Sequence, residues 1–310
     1  MVINARNLVK RYGELTALDH LDITVEEGEI FGLLGPNGSG KTTAINCILS
    51  LLDYDEGSIE VFGRPMTPEN YEAKRKIGIV MQNVAVFQEL TVYENIDYFC
   101  GLYVADKTLR RKLVNEAIEF TGLEDFRKFR PKKLSGGLLR RLNIACGIAH
   151  KPQLIILDEP TVAVDPQSRN KILEGIAELN RNGATVVYTS HYMEEVEQLC
   201  TRIMILDKGR AIATGTKDEL KAMISIGEKV IVDTDVPDEA LLKALGGIRG
   251  VSSVSYSEGA VTVTSGRGMS SLEAVLEILK KSGAAYSRIR TELPTLNDVF
   301  LEITGKGLRD

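Results

Sequence analysis

The run Gly35-Pro36-Asn37-Gly38-Ser39-Gly40-Lys41-Thr42 sets glycines, a lysine and a hydroxyl in the spacing G-x-x-x-x-G-K-[ST], a combination suited to holding phosphate. The glycines permit φ > 0 and close approach, so successive backbone N–H groups converge on phosphate oxygens. Gly35, Asn37, Gly38, Ser39, Gly40 and Thr43 are the expected contacts of this kind. Lys41 is expected to neutralise β and γ phosphates, and Thr42 to offer its hydroxyl to Mg²⁺. A helix opening at Lys41 turns its positive dipole end toward the anion. At average residue usage such a pattern arises by chance in on the order of one chain in a hundred, and the strand and helix expected on either side make chance a poorer account still.

Downstream, Leu154-Ile155-Ile156-Leu157-Asp158-Glu159 runs an apolar stretch into a pair of carboxylates. A buried strand of this kind delivers its acids at the carboxyl end, where open α/β sheets bind ligands. Asp158 is then placed to hold Mg²⁺, directly or through water, and Glu159 to polarise an attacking water as general base. Asp-Glu after an apolar run is a weak signal alone. Joined to the phosphate loop, it specifies nucleoside triphosphate hydrolysis.

Between these motifs lies Leu134-Ser135-Gly136-Gly137-Leu138, followed by Arg140 and Arg141. A serine hydroxyl and the N–H groups of Gly136 and Gly137 at a helix start form another anion site. In this order the motifs resemble those of ABC-type ATPases, and the resemblance spreads over about Val2 to Leu220. It implies further roles, residue by residue. Tyr12 looks like the aromatic that stacks on adenine, and Gln82 like the glutamine that contacts Mg²⁺ and the water. Asp165 matches the acid of the loop that crosses a dimer interface, and His191 the histidine that senses the γ phosphate. In the family Ser135, Gly136 and Gly137 of one subunit close on ATP held by another, so the resemblance implies a partner: a second copy or a paralogous ATPase subunit. Glu159, His191, Gln82 and Lys41 make up the expected catalytic set, and Thr42, Gln82 and Asp158 the expected metal ligands. Two departures bear on the coupling between subunits. Leu138 stands where the family most often has Gln, and Thr161-Val162-Ala163-Val164-Asp165 replaces the commoner T-S-G-L-D, losing a hydroxyl at Val162 and flexibility at Ala163.

The elements that must position these groups follow from hydrophobic patterning. About Val2 to Glu27 alternates as a half-exposed antiparallel layer; Glu29 to Leu34 is a short apolar strand, and Lys41 to Leu52 a helix. Helical spacing runs from Tyr93 to about Ala149, and Leu154 to Leu157, Thr185 to Thr189 and Ile203 to Leu206 read as buried parallel strands. The expected fold is a P-loop NTPase: a RecA-like α/β core with an antiparallel β subdomain and a helical insertion at about 91–150, all within 1–224. A second domain, 225–310, shows a β-α-β-β-α-β order, the ferredoxin-like arrangement, with an added helix at Thr295 to Ile303.

At 310 residues the chain has length for two domains, and 26% charged with 44% hydrophobic residues argues against disorder and coiled-coil rods. A formal net charge of −5 argues against a protein that coats nucleic acid, so no nucleic-acid partner is expected. Cys47, Cys100, Cys146 and Cys200 lie far apart, which suits buried free thiols and not a zinc site. Met1 to Arg6 lacks the apolar stretch of a secretory signal, and no apolar run reaches the roughly 18 to 20 residues that cross a bilayer. The resemblance implies the ATP-binding, ATP-hydrolysing subunit of an ABC exporter. It would lie at the cytoplasmic face of the cell membrane and drive separate transmembrane subunits, which in such families dock near Val84 to Glu94. The alternative is a soluble ABC-type ATPase of DNA repair or translation, a class that usually adds a second ATPase domain, zinc cysteines or long coiled coils. The tail, Pro294 to Leu301, is similar to the ends of bacterial drug, antibiotic, polysaccharide and sodium exporter subunits, and suggests dimer support or regulation.

Overall fold

The computed structural model describes residues 1–235 and 237–305. The chain runs through β1 (Ile3–Tyr12), β2 (Leu15–Val25), β3 (Ile30–Leu34), α1 (Lys41–Ile48), β4 (Glu56–Val61), β5 (Arg64–Pro65), α2 (Tyr71–Lys74) and β6 (Ile77–Val80). A helical stretch follows, α3 (Val92–Gly101), α4 (Lys107–Phe120) and α5 (Gly136–Ile148). Then come β7 (Leu154–Asp158), α6 (Pro166–Arg181), β8 (Thr185–Ser190), α7 (Met193–Leu199), β9 (Arg202–Asp207) and β10 (Arg210–Gly215). Beyond these lie α8 (Lys217–Ala222), β11 (Ile226–Thr234), α9 (Glu239–Gly246), β12 (Val251–Ser257), β13 (Ala260–Gly266), α10 (Leu272–Ser282), β14 (Tyr286–Glu292) and α11 (Leu296–Thr304).

Two compact units divide between Thr216 and Lys217. The expected boundary lay near residue 225. The difference is α8, which packs on α11 and buries Leu220 within the second unit.

In the first unit β1, β2, β4 and β5 form an antiparallel sheet in the order β2-β1-β4-β5. A six-stranded sheet has the order β10-β9-β3-β8-β7-β6, parallel except for the edge strand β10. β3, β7 and β8 are buried at every residue, as strands covered on both faces must be. Register aligns their carboxyl ends: Leu34 opposes Ser190, and Asp158 opposes Thr189. The helices α3, α4 and α5 share an apolar core of their own that includes Ile96, Val114, Ile118 and Leu142. The capping box of Thr91 and Glu94 fixes the start of α3. The helix expected over Lys41 to Leu52 stops at Ile48, because Ser50 takes φ 54° and the N–H groups of Leu51 and Leu52 both turn back to the Asn46 carbonyl, at 2.9 and 3.2 Å.

The second unit follows the order β11-α9-β12-β13-α10-β14, with an antiparallel sheet arranged β12-β13-β11-β14 and α11 at the end. Val230 and Val232 of β11 and Val261 and Val263 of β13 alternate onto the face covered by Leu241 and Leu245 of α9 and Val275 and Leu279 of α10. Glu258 and Gly259, at φ 52° and 76°, make the two-residue turn of the β12–β13 hairpin. The expected second domain reaches into 306–310, which with Val236 lies outside the described residues.

Candidate active site

The loop between β3 and α1 is built on glycines that nothing larger replaces. Gly40, at φ 110°, caps α1 without a side chain, and a Cβ there would stand 2.7 Å from the Ala17 carbonyl oxygen. A Cβ on Gly35 would lie 2.3 Å from the Leu206 carbonyl oxygen. The Ser39 carbonyl accepts from the Gly209 N–H at 2.8 Å, tying the loop to the turn between β9 and β10. Ser39 itself is buried, and its hydroxyl makes no hydrogen bond.

Lys41 is 5% exposed, and its ammonium donates to the Gly35 and Pro36 carbonyls at 2.7 and 3.1 Å. Burial pulls its pKa below the ordinary lysine value, opposed by the Glu159 carboxylate, whose Oε1 is 3.4 Å away. The lysine thus remains beside the loop instead of extending to solvent.

At the end of β7, Asp158 is fully buried. Its Oδ2 accepts from the Thr42 hydroxyl at 2.9 Å and its Oδ1 from the Thr189 hydroxyl at 2.6 Å. Glu159 follows in the left-handed region, φ 47°, with its N–H donating to the Thr189 hydroxyl at 2.9 Å. The side-chain amide of Gln82 donates to Glu159 Oε2 at 3.2 Å. Nδ1 of His191 lies 3.3 Å from Glu159 Oε1 without the alignment of a hydrogen bond. Lys41, Thr42, Gln82, Asp158, Glu159 and His191, spread over 150 residues of sequence, therefore meet around the ends of β3, β7 and β8.

A cavity of about 710 Å³ opens there, lined by Tyr12, Asn37, Gly38, Gly40, Lys41, Thr42, Thr43, Gln82 and Glu159, together with Leu15, Thr16, Ala17 and Lys208. Tyr12 is 48% exposed at this cavity, leaving an aromatic face accessible. The donor set fits a hard cation: a hydroxyl from Thr42, a carboxylate from Asp158 and an amide oxygen from Gln82 are all oxygen ligands. Among the described residues there is no cluster of three or more His, Cys, Asp or Glu side chains that would cage a metal alone. One carboxylate with a hydroxyl and an amide oxygen is the kind of oxygen set through which Mg²⁺ is held beside waters and substrate phosphates.

Ser135, Gly136, Gly137 and Asp165 do not line this cavity. Ser135 caps α5 by accepting from the Leu138 N–H at 3.3 Å, and Asp165 caps α6 by accepting from the Ser168 N–H at 2.9 Å. The two caps adjoin, since a Cβ on Gly137 would lie 2.4 Å from the Ser168 hydroxyl and 3.1 Å from Asp165 Oδ2. The apolar Leu138 packs against the core of α3, α4 and α5, and Ala163 holds a left-handed φ of 58° where glycine would sit without strain.

The family model for ABC transporters matches residues 18–162. Over 314 aligned residues, 100% of both chains, the sequence is 40% identical to the linearmycin resistance ATP-binding protein LnrL of Bacillus subtilis (strain 168). The chain belongs to the ABC transporter ATP-binding family. This ABC subunit is also 35% identical to the daunorubicin resistance ATP-binding protein DrrA3 of Streptomyces coeruleorubidus, covering 97% of this chain and 95% of that one. Among solved structures it resembles the dimeric post-hydrolysis state of the cassette MJ0796 bound to ADP and Pi, with a TM-score of 0.63 and 29% identity over 69% of this chain and 98% of that one. It is an ATP-binding and ATP-hydrolysing ABC subunit with the P-loop fold. No described helix is long and apolar enough to cross a membrane.

Three kinds of site residue escape sequence reasoning. Lys208 lines the cavity from a hairpin turn, signalled only by the dipeptide Lys208-Gly209. Thr189 bridges Asp158 and the Glu159 backbone, and nothing in its local sequence marks it. Glu195, buried on α7, accepts from the hydroxyls of Thr161, Tyr188 and Ser190 at 2.7, 2.6 and 3.1 Å, with Arg169 Nε 3.2 Å from its other oxygen. A charged residue on the buried face of an amphipathic helix is the one available signal.

Proposed function

We propose that this ABC subunit is the motor of an exporter, hydrolysing ATP in a site completed by a second copy or a paralogous subunit and driving separate membrane-spanning subunits from the cytoplasmic face. The relatives named for linearmycin and daunorubicin resistance support an antibiotic-like cargo. The observation that carries the hydrolytic reading is the Glu159 carboxylate, which receives Gln82 on one oxygen and has Lys41 and His191 within 3.4 Å of the other.

In this reading adenine stacks on Tyr12, and the loop N–H groups from Gly35 to Thr43 hold the phosphates. Lys41 exchanges its loop carbonyls for β and γ oxygens. Thr42, Asp158 and Gln82 hold Mg²⁺, which supplies charge neutralisation to the phosphates when bound. Glu159 accepts a proton from water as the water oxygen attacks the γ phosphorus; the bond to the ADP oxygen breaks, and ADP and phosphate leave. His191, beside the same carboxylate, reports the γ phosphate. Ser135, Gly136 and Gly137 of the partner subunit donate to that phosphate, and Asp165 crosses the same interface. Those bonds to a charged group stabilise closure by about 1.5 to 3 kcal/mol each and are lost with phosphate. The second unit supports pairing or regulates it.

Replacing Glu159 with Gln tests this. ATP binding should persist while turnover falls by about 10² or more, the scale of a lost general base, and an ATP-bound dimer should accumulate on size exclusion. A protein that stays monomeric with ATP would sink the composite site.

A further inference from the structure

We propose that Arg140 is a positioning residue for hydrolysis, coupling the helix that opens at Ser135 to the backbones that carry Gln82 and Glu159. Arg140 lies on the second turn of α5 and is 3% exposed. Its guanidinium donates from Nε to the Pro160 carbonyl at 2.7 Å and from Nη1 to the Met81 and Gln82 carbonyls at 3.1 and 2.7 Å, while Nη2 donates to the Glu159 carbonyl. All of these acceptors are main-chain oxygens, and they belong to two separate segments. One follows β6, the other follows β7.

The arrangement matters because of what those segments bear. Glu159 sits at φ 47°, a conformation that persists in a non-glycine residue only where its surroundings over-determine it. Here the peptide is held at both ends: Thr189 receives its N–H, and Arg140 grips its carbonyl and the next one. The same guanidinium holds the Gln82 carbonyl, and the Gln82 and Glu159 side chains meet at 3.2 Å. Asn143, one turn further along α5, accepts from the Ala85 N–H at 3.2 Å and so adds a second tie to the Gln82 segment. A displacement of α5 therefore reaches the Gln82 and Glu159 backbones through one rigid fork. Lysine, a point charge with no fixed plane, reproduces only part of that geometry.

The proposal rests on the reading of Glu159 as general base, and the test separates the two. In the purified full-length chain, Arg140→Met should lower single-turnover ATP hydrolysis by about 10²-fold, the scale of a misplacement near 1 Å. ATP Kd should change by less than about threefold, since ground-state binding is not what is lost. Arg140→Lys should recover part of the rate, leaving a loss of about tenfold. In a Glu159→Gln background Arg140→Met should cost little more, because the two act through one group. Turnover in Arg140→Met within about twofold of the parent, or losses that multiply with Glu159→Gln, would overturn the proposal. Should thermal unfolding show that Arg140→Met does not fold, Arg140→Lys decides: a tenfold loss at parental Kd supports the tether, and parental turnover ends it. Full turnover in Glu159→Gln alone fails the general-base reading before any change at Arg140 is made.

Discussion

Thr42 and Asp158 stand 116 residues apart in the chain, and the threonine hydroxyl donates to Asp158 Oδ2 across 2.9 Å. One comes from the first turn of α1 and the other from the end of β7, so the pair joins the phosphate loop to the acidic strand end. If the pair holds Mg²⁺, Asp158→Asn should raise the Mg²⁺ concentration for half-maximal ATPase activity by about tenfold or more, the loss of one charged ligand at roughly 1.5 to 3 kcal/mol. Thr42→Ser keeps the hydroxyl and should retain the parental Mg²⁺ midpoint. An unchanged midpoint in Asp158→Asn removes the metal assignment.

Lys41→Ala deletes a buried ammonium whose partners are two loop carbonyls and, at 3.4 Å, Glu159. Two charge-assisted bonds to phosphate correspond to about 3 to 6 kcal/mol, so ATP affinity should fall by at least about 10²-fold in a titration with a fluorescent nucleotide. Parental affinity would leave the loop without its proposed ligand.

Glu195→Ala should destabilise the first unit by about 3 kcal/mol, because it removes the shared buried acceptor of the Thr161, Tyr188 and Ser190 hydroxyls and the counter-charge of Arg169. Burial already pushes the Tyr188 phenol above its ordinary pKa, and Glu195 adds to the shift. Differential scanning calorimetry should show the corresponding transition lowered by roughly 6 to 12 °C. A shift near zero would mean that the network closes around water at no cost.

His150 gives a pH dependence. Its ring stacks on Tyr103 with centroids 3.8 Å apart and planes 7° apart, Nε2 lies 3.2 Å from the Ile77 carbonyl oxygen, and burial pushes its pKa down to about 4. The unfolded chain, with an ordinary histidine near 6.5, binds the proton first. Stability is therefore full above about pH 6.5 and falls as pH drops toward 4, by up to roughly 3 kcal/mol. His150→Phe should flatten that part of the stability profile in urea titrations at pH 4 and 7, and an unaltered profile would assign the pH dependence elsewhere.

The parts of the fold that were legible share one property: each is written in contiguous residues. The loop from Gly35 to Thr42 and the strand ending at Asp158 follow from local pattern and were found where spacing predicted. The Ser135-Gly136-Gly137 pattern also set Ser135 at a helix start, where it caps α5, whereas the cap that Asp165 provides for α6 was not foreseen. What escaped depends on distant residues converging. Thr189 has no local mark, because its work is done on Asp158 and Glu159 across a strand pair. By sequence Arg140 is one of two arginines after the Ser135 motif, and only the carbonyls of 81–82 and 159–160 show why it is buried. The end of α1 was misplaced by four residues because Leu49, Leu51 and Leu52 continue an apolar pattern through a turn set by Ser50.

The register between β7 and β8 has a further consequence for how the chain reaches its native state. Asp158 opposes Thr189, and a slip of one residue would turn the carboxylate to the opposite face of the sheet and offer Leu157 in its place. Mispaired chains would keep a hydrophobic core and lose the nucleotide. Ligand that binds only the correct pairing stabilises it by about 2.7 kcal/mol at a hundredfold excess over Kd. Bound nucleotide would thereby favour the aligned sheet over a slipped one.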